Sequence, residues 1–136
     1  MIAFLDASAL IYLIEGAPPF AHRVQTEFRK MYADYPNLTL AVSRLSWLEC
    51  RIHPMRHQDA LTLRAFDDFF NHTDLIWVEL TREVVEMATN LRVKHSLRTP
   101  DALQASCCLH LGSQHLFLTG DKDYQHVQGL NVRLLT

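Results

Sequence analysis

Short runs of consecutive apolar residues alternate along this chain with stretches in which apolar residues recur every three or four positions. The runs are Ile2 to Leu5, Leu38 to Val42, Leu75 to Val78 and Leu116 to Thr119, with a weaker alternating one at Asn131 to Leu135. Their length and boundaries predict strands. Between them Phe20, Val24, Phe28, Met31 and Tyr35 recur at spacings of four and three, with Arg23, Glu27, Arg29 and Lys30 at other positions, which predicts an amphipathic helix. Leu63, Phe66 and Phe70 predict a second helix. Val84, Ala88 and Leu91 predict a third, opened by Thr81 as N-cap with Glu83 in the first turn, where a negative charge suits the helix dipole. Thr99-Pro100-Asp101 reads as a sharper start: a capping hydroxyl, then proline at the first helical position, where its missing N–H costs nothing. That helix is expected to run to about His110 and to end before Gly112.

Strands alternating with helices imply right-handed crossovers and a parallel sheet covered on both faces. The expected fold class is therefore α/β: a three-layer α/β/α sandwich around a central, mostly parallel sheet of four or five strands, with residues 1–136 as one domain. In open sheets of this kind the functional crevice lies beyond the carboxyl ends of the strands, often at a switch in strand order. Asp6 directly follows the first run, and Asp121 follows the Leu116 to Thr119 run by one glycine. Two carboxylates are thus expected at the same sheet edge.

Composition sharpens this frame. A chain of 136 residues with 49% hydrophobic content holds enough apolar material for one core. The net charge of -2 excludes a polybasic protein held on nucleic acid by bulk charge, so any nucleic-acid site must be a local strip. Cys50, Cys107 and Cys108 form no CxxC pair, and they read as buried or idle thiols of a reducing cytosol. The start of the chain has no basic leader and reaches Asp6 after a few apolar residues, and no stretch is long enough to cross a bilayer; the expected location is cytoplasmic. The eight histidines read as structural or surface groups.

The candidate chemistry lies in four acids, Asp6, Glu49, Asp101 and Asp121. Taken singly, Asp6 is a turn or helix cap, Asp101 a first-turn acid favoured by the helix dipole, and Asp121 and Asp123 around Lys122 a solvated turn. Glu49 is odder, because it falls in the largely apolar run Leu45 to Cys50, where a buried carboxylate needs a partner. If the four converge, like charges about 4 Å apart repel by roughly 4 kcal/mol at an effective dielectric near 20, so the acids must hold protons or metal. Oxygen-only ligands favour Mg2+ or Mn2+, and such ions on an open edge suit phosphodiester hydrolysis.

Four blocks carry a family resemblance: Phe4 to Leu10, Ser43 to Arg51, Leu97 to Leu103 and Leu118 to Tyr124. In order and spacing they are similar to a PIN-domain ribonuclease of the VapC type, the toxin half of a bacterial toxin-antitoxin pair. The resemblance implies that Asp6, Glu49, Asp101 and Asp121 form an acidic pocket for Mg2+ or Mn2+, that Ser8 and Thr119 are supporting hydroxyls, and that Asp123 replaces or assists Asp121. It implies endonucleolytic hydrolysis of single-stranded or looped RNA by metal-activated water, a cognate antitoxin as partner, and a homodimer. Arg44, Arg51 and Arg56, near Glu49 in sequence, and Arg98, before Asp101, are candidates to meet RNA phosphates, with surface solvation or pairing to an antitoxin as the alternative. Trp47 is expected in the core or an interface, and Phe66, Phe69, Phe70 and Trp77 in the core or in a groove for an antitoxin helix. A different function class is a non-catalytic PIN scaffold that binds RNA or a partner protein and keeps its acids as a metal-stabilised knot. An aspartyl-phosphate enzyme ranks lower, because its pattern wants a second Asp where this chain has Ser8.

Overall fold

Every predicted strand forms. The computed structural model describes residues 1–135. In chain order the elements are β1 (Ile2–Leu5), α1 (Ala7–Glu15), α2 (Phe20–Asp34), β2 (Thr39–Ser43), α3 (Arg44–Arg56), α4 (Ala60–Phe70), β3 (Ile76–Val78), α5 (Arg82–His95), α6 (Thr99–Leu109), β4 (His115–Thr119), a 3-10 helix (Lys122–His126) and β5 (Val132–Leu134). The strands make one parallel sheet in the order β3-β2-β1-β4-β5. The chain adds β2 and β3 on one side of β1, then crosses to add β4 and β5 on the other. The switch point therefore lies between the carboxyl ends of β1 and β4.

Alternation of side chains along each strand divides the core in two. Ala3, Leu5, Val42, Leu116 and Leu118 face α1, α2 and α4, where they meet Leu10, Val24, Met31, Phe66 and Phe70. Phe4, Ala41 and Phe117 face the opposite layer and meet Val84, Ala88 and Leu91 of α5, Ala102 and Ala105 of α6, and Tyr124. The expected three layers are present, and Phe66 and Phe70 lie in the core, with Phe69 and Trp77 packed at its margin.

Three local readings change. Thr99 is not the cap of α6: Arg98 holds that position, Thr99 and Pro100 occupy the first turn, and the Thr99 hydroxyl instead accepts a hydrogen bond from Arg92 Nη1 at 3.0 Å. Helices α1 and α3 carry no clean apolar stripe, which is why periodicity missed them; α1 is short and apolar almost all round, and α3 alternates buried Ser46 and Cys50 with exposed Trp47 and Leu48. Trp47 is 40% exposed, which excludes the core and leaves the interface of its two expected places, and it lies under the Arg51 guanidinium. The Thr81 cap is as expected, its hydroxyl accepting from Val84 N–H at 3.3 Å.

Candidate active site

Asp6 leaves β1 in extended conformation and serves two neighbours at once. Its Oδ1 accepts from the Ala9 N–H at 2.9 Å, which caps α1, and from Ser8 Oγ at 2.7 Å; its Oδ2 accepts from Thr119 Oγ1 at 2.5 Å. Thr119, the last residue of β4, also accepts from the Asp121 N–H at 3.0 Å, while Ser8 Oγ accepts from the Gly120 N–H at 3.0 Å. These short polar links tie the ends of β1 and β4 together across the switch point. Gly120 is required for the closeness of this join, because a Cβ there would meet the Tyr12 ring at 2.7 Å.

The other acids approach from three further elements. Glu49 stands half-buried on α3 and accepts from Gln104 Nε2 at 3.2 Å. Gln104, one turn after Asp101 on α6, also donates to Ser46 Oγ at 2.9 Å and accepts from Ser43 Oγ at 2.9 Å, so it joins α6 to the start of α3. Asp101, in the first turn of α6, accepts from Arg98 Nε and from the Tyr124 hydroxyl, both at 3.2 Å. Asp121 caps the 3-10 helix by accepting from the Asp123 N–H at 2.9 Å. Asp6, Ser8, Glu49, Asp101 and Asp121 line one cavity of about 180 Å³, with Arg98, Gln104 and Tyr124 completing its wall. All four predicted acids are therefore brought together, Asp121 rather than Asp123 being the one inside.

The electrostatics follow from this packing. Asp6 is 4% exposed, and burial pushes its carboxyl from the ordinary range up to about 6, against the pull of the hydrogen bonds from Thr119, Ala9 and Ser8. The nearby Asp121 charge adds to the rise. Glu49 is raised as well, first by burial and then by the Asp101 charge, with the Gln104 hydrogen bond opposing. The Tyr124 hydroxyl is pushed far up by burial and by Asp6 and Asp101, so it remains a donor. Four carboxylates facing one guanidinium, that of Arg98, are a set of oxygen ligands that fits a hard divalent ion. Among the described residues no three acidic, histidine or cysteine side chains are close enough together to hold one ion between them.

Of the four candidate arginines, Arg98 alone reaches this cavity. Arg44 is held by Glu79 in a forked pair at 2.9 Å and covers Trp77, and Arg51 pairs with Asp67. Helical geometry explains their departure: at about 100° per residue, Arg51 and Arg44 point roughly 200° and 140° around α3 from Glu49. Arg56 is exposed at the far end of that helix. Asp123 is exposed beside the cavity rather than within it. Gln104 and Tyr124 were not foreseen; each lies three residues after a predicted acid, the spacing that puts them on the same helical face. His53 and His57 do have the four-residue spacing of a ligand pair, but His57 Nδ1 donates to the His53 carbonyl at 2.9 Å. Buried His115 is structural: Nδ1 donates to the Gly112 carbonyl at 2.6 Å and Nε2 accepts from the Asn131 N–H at 3.1 Å.

Comparison with known proteins fits this picture. VapBC2 from Rickettsia felis, solved bound to a DNA fragment from its promoter, has a TM-score of 0.78 to this chain at 15% identity, with 100% of each chain covered. VapBC-1 from nontypeable Haemophilus influenzae has a TM-score of 0.74 at 18% identity, covering 99% of this chain and 98% of that one. A toxin-antitoxin complex from Klebsiella pneumoniae has a TM-score of 0.72 at 18% identity, covering 98% of both. At such identities the likeness is one of fold. No curated protein matches the sequence. The PIN domain model matches residues 3–130, nearly the full chain, and the protein belongs to the PIN-domain family.

Proposed function

We propose that this protein is the toxin of a type II toxin-antitoxin pair, a Mg2+- or Mn2+-dependent endoribonuclease acting on single-stranded or looped RNA. The observation that carries the reading is the convergence of Asp6, Glu49, Asp101 and Asp121, from four separate elements, on one small polar cavity at the switch point. Asp6, Glu49, Asp101 and Asp121 would hold one or two such ions, each on one or two of these carboxylates, to supply charge neutralisation and activation of water for attack on phosphorus. Thr119 and Ser8 orient Asp6, Gln104 orients Glu49, and Tyr124 orients Asp101. Arg98, 81% exposed along its side chain, is placed to meet a phosphate at the cavity mouth.

The solved relatives are toxin-antitoxin complexes, which supports an antitoxin partner here. A surface for a protein partner is at hand: Leu48, Ile52 and Met55 form an exposed row at spacings of four and three on α3, beside Trp47 on the same helix. We also propose a homodimer, consistent with further exposed apolar residues at Val85 and Val93 on α5. The test is direct. Purified protein with Mg2+ is expected to cut RNA, and Asp6→Asn or Asp101→Asn to stop cutting while leaving the fold intact. Unchanged cleavage in both variants overturns the assignment; a folded wild type that binds Mn2+ yet leaves RNA uncut identifies a non-catalytic scaffold.

A further inference from the structure

The acidic cavity has a neighbouring cavity on each of two sides. Through the wall made by Ser8 and Asp121 it adjoins a space of about 420 Å³ bordered by Tyr12 and Lys122. Through the wall made by Arg98 and Asp101 it adjoins a second space of about 320 Å³, bordered by His95, Ser96, Asp123 and His126. The shared residues put both spaces next to the acids. A strand whose phosphate lay at the acids would place its next nucleotide in one of the flanking spaces.

The two flanks differ in chemistry. The space beside Arg98 carries an acid, Asp123, as well as two imidazoles and a hydroxyl, so it offers both donors and acceptors. A phosphate there would face the Asp123 carboxylate, whereas a base edge with an amino group would be satisfied by it. Histidine rings also provide a flat surface on which an unpaired base stacks. At about 320 Å³ the space is at the small end of ligand pockets, the right scale for one nucleotide unit. His95 Nε2 is buried without a protein partner, which marks this imidazole as one whose polar needs the fold itself leaves open.

We propose that the cavity lined by His95, Ser96, Arg98, Asp123 and His126 seats the base of the nucleotide flanking the scissile phosphate, and that the two histidines set which base is accepted there. The proposal rests on the nuclease reading for its cleavage assay but not for its binding assay. His95→Ala and His126→Ala are compared with wild type on single-stranded RNA randomised around the cut, with Mg2+. Each variant is expected to flatten the base preference at one position beside the cut, and at that position only, with KM raised roughly tenfold and kcat at saturating RNA within about twofold of wild type. In parallel, labelled pentaribonucleotides are titrated into Asp6→Asn protein with and without His126→Ala; His126 is exposed, so its removal leaves the fold in place. A loss of roughly tenfold in affinity on removing His126 is expected. Unchanged preference, KM and pentamer affinity overturn the subsite, as does an equal loss at every position. Should wild type cut no RNA, the nuclease reading falls and the position relative to a cut falls with it; a loss of pentamer affinity then upholds the cavity as a base-binding site, and equality ends it.

Discussion

The Asp6 carboxylate accepts three hydrogen bonds, and burial still outweighs them. Its folded value lies above its ordinary one, so without metal the contribution to stability is present below about pH 4 and is lost as pH rises through about 6. The cost at pH 7 is about 3 kcal/mol. Metal-free Asp6→Asn, which keeps the Ala9 cap and donates to Thr119 instead of accepting, is therefore expected to be more stable than wild type at pH 7 and no more stable at pH 4. Urea denaturation of both proteins at the two pH values checks this, and equal stability at pH 7 would refute the burial argument. Thr119→Val removes the hydroxyl that joins Asp6 to the Asp121 N–H, and it is expected to weaken Mn2+ binding by about 10- to 100-fold, read by calorimetry. The three thiols are buried, Cys107 raised to about 12 by burial, so a thiol reagent should label none in the native protein and all three after unfolding.

At the scale of elements, the site is held by joints between them. Gln104 links α6 to Ser43, Ser46 and Glu49. Gln104→Leu takes from the Ser43 hydroxyl its acceptor and from the Ser46 hydroxyl its amide donor, leaving them only each other at 3.5 Å and the Ser46 N–H. It is expected to destabilise the fold by about 1–3 kcal/mol, with weaker metal binding because Glu49 loses its tether. At the β4 end, Gly120→Ala drives a Cβ into Tyr12, whose ring is stacked on Phe20 at 4.4 Å and has little room to retreat. A loss of about 1–3 kcal/mol is expected, largely recovered in the Gly120→Ala, Tyr12→Ala double variant relative to Tyr12→Ala alone. Additive losses in that cycle would show that the clash is not the cause. These joints were the part the sequence did not disclose. Periodicity located α2, α4 and α5, which bury an apolar stripe, and a start signal located α6, which is buried on most sides. Helix α3 went unseen because its buried stripe is Ser46, Cys50 and Pro54 while apolar Trp47, Leu48, Ile52 and Met55 are exposed, and α1 because it is short and apolar almost all round.

For the whole molecule, the acidic cavity makes stability and ion binding one equilibrium. Mg2+ or Mn2+ is expected to raise the melting temperature, and to raise it more at pH 8 than at pH 5.5, because protons and cation compete for Asp6. A shift independent of pH would separate the ion from that carboxylate. The net charge of -2 sets the scale of RNA binding: with Arg98 as the cation at the acids and Lys122 on the adjoining flank, few counterions are released, and affinity should fall only gently with added salt.

The sequence by itself determined the layers, the strands to within a residue or so, and the identity of the acids, because continuous apolar runs, helical periods and a carboxylate after a strand are local signals. It placed Asp6 and Asp121 at one edge, since a parallel sheet puts all strand ends of one kind together. Tertiary structure alone decided that Glu49 and Asp101 join them, that Asp121 rather than Asp123 enters the cavity, and that Arg44 and Arg51 turn away to Glu79 and Asp67. The reason is rotational: a residue's place in the chain fixes its height along a helix, but the packing of that helix against the sheet fixes the direction in which its side chain points.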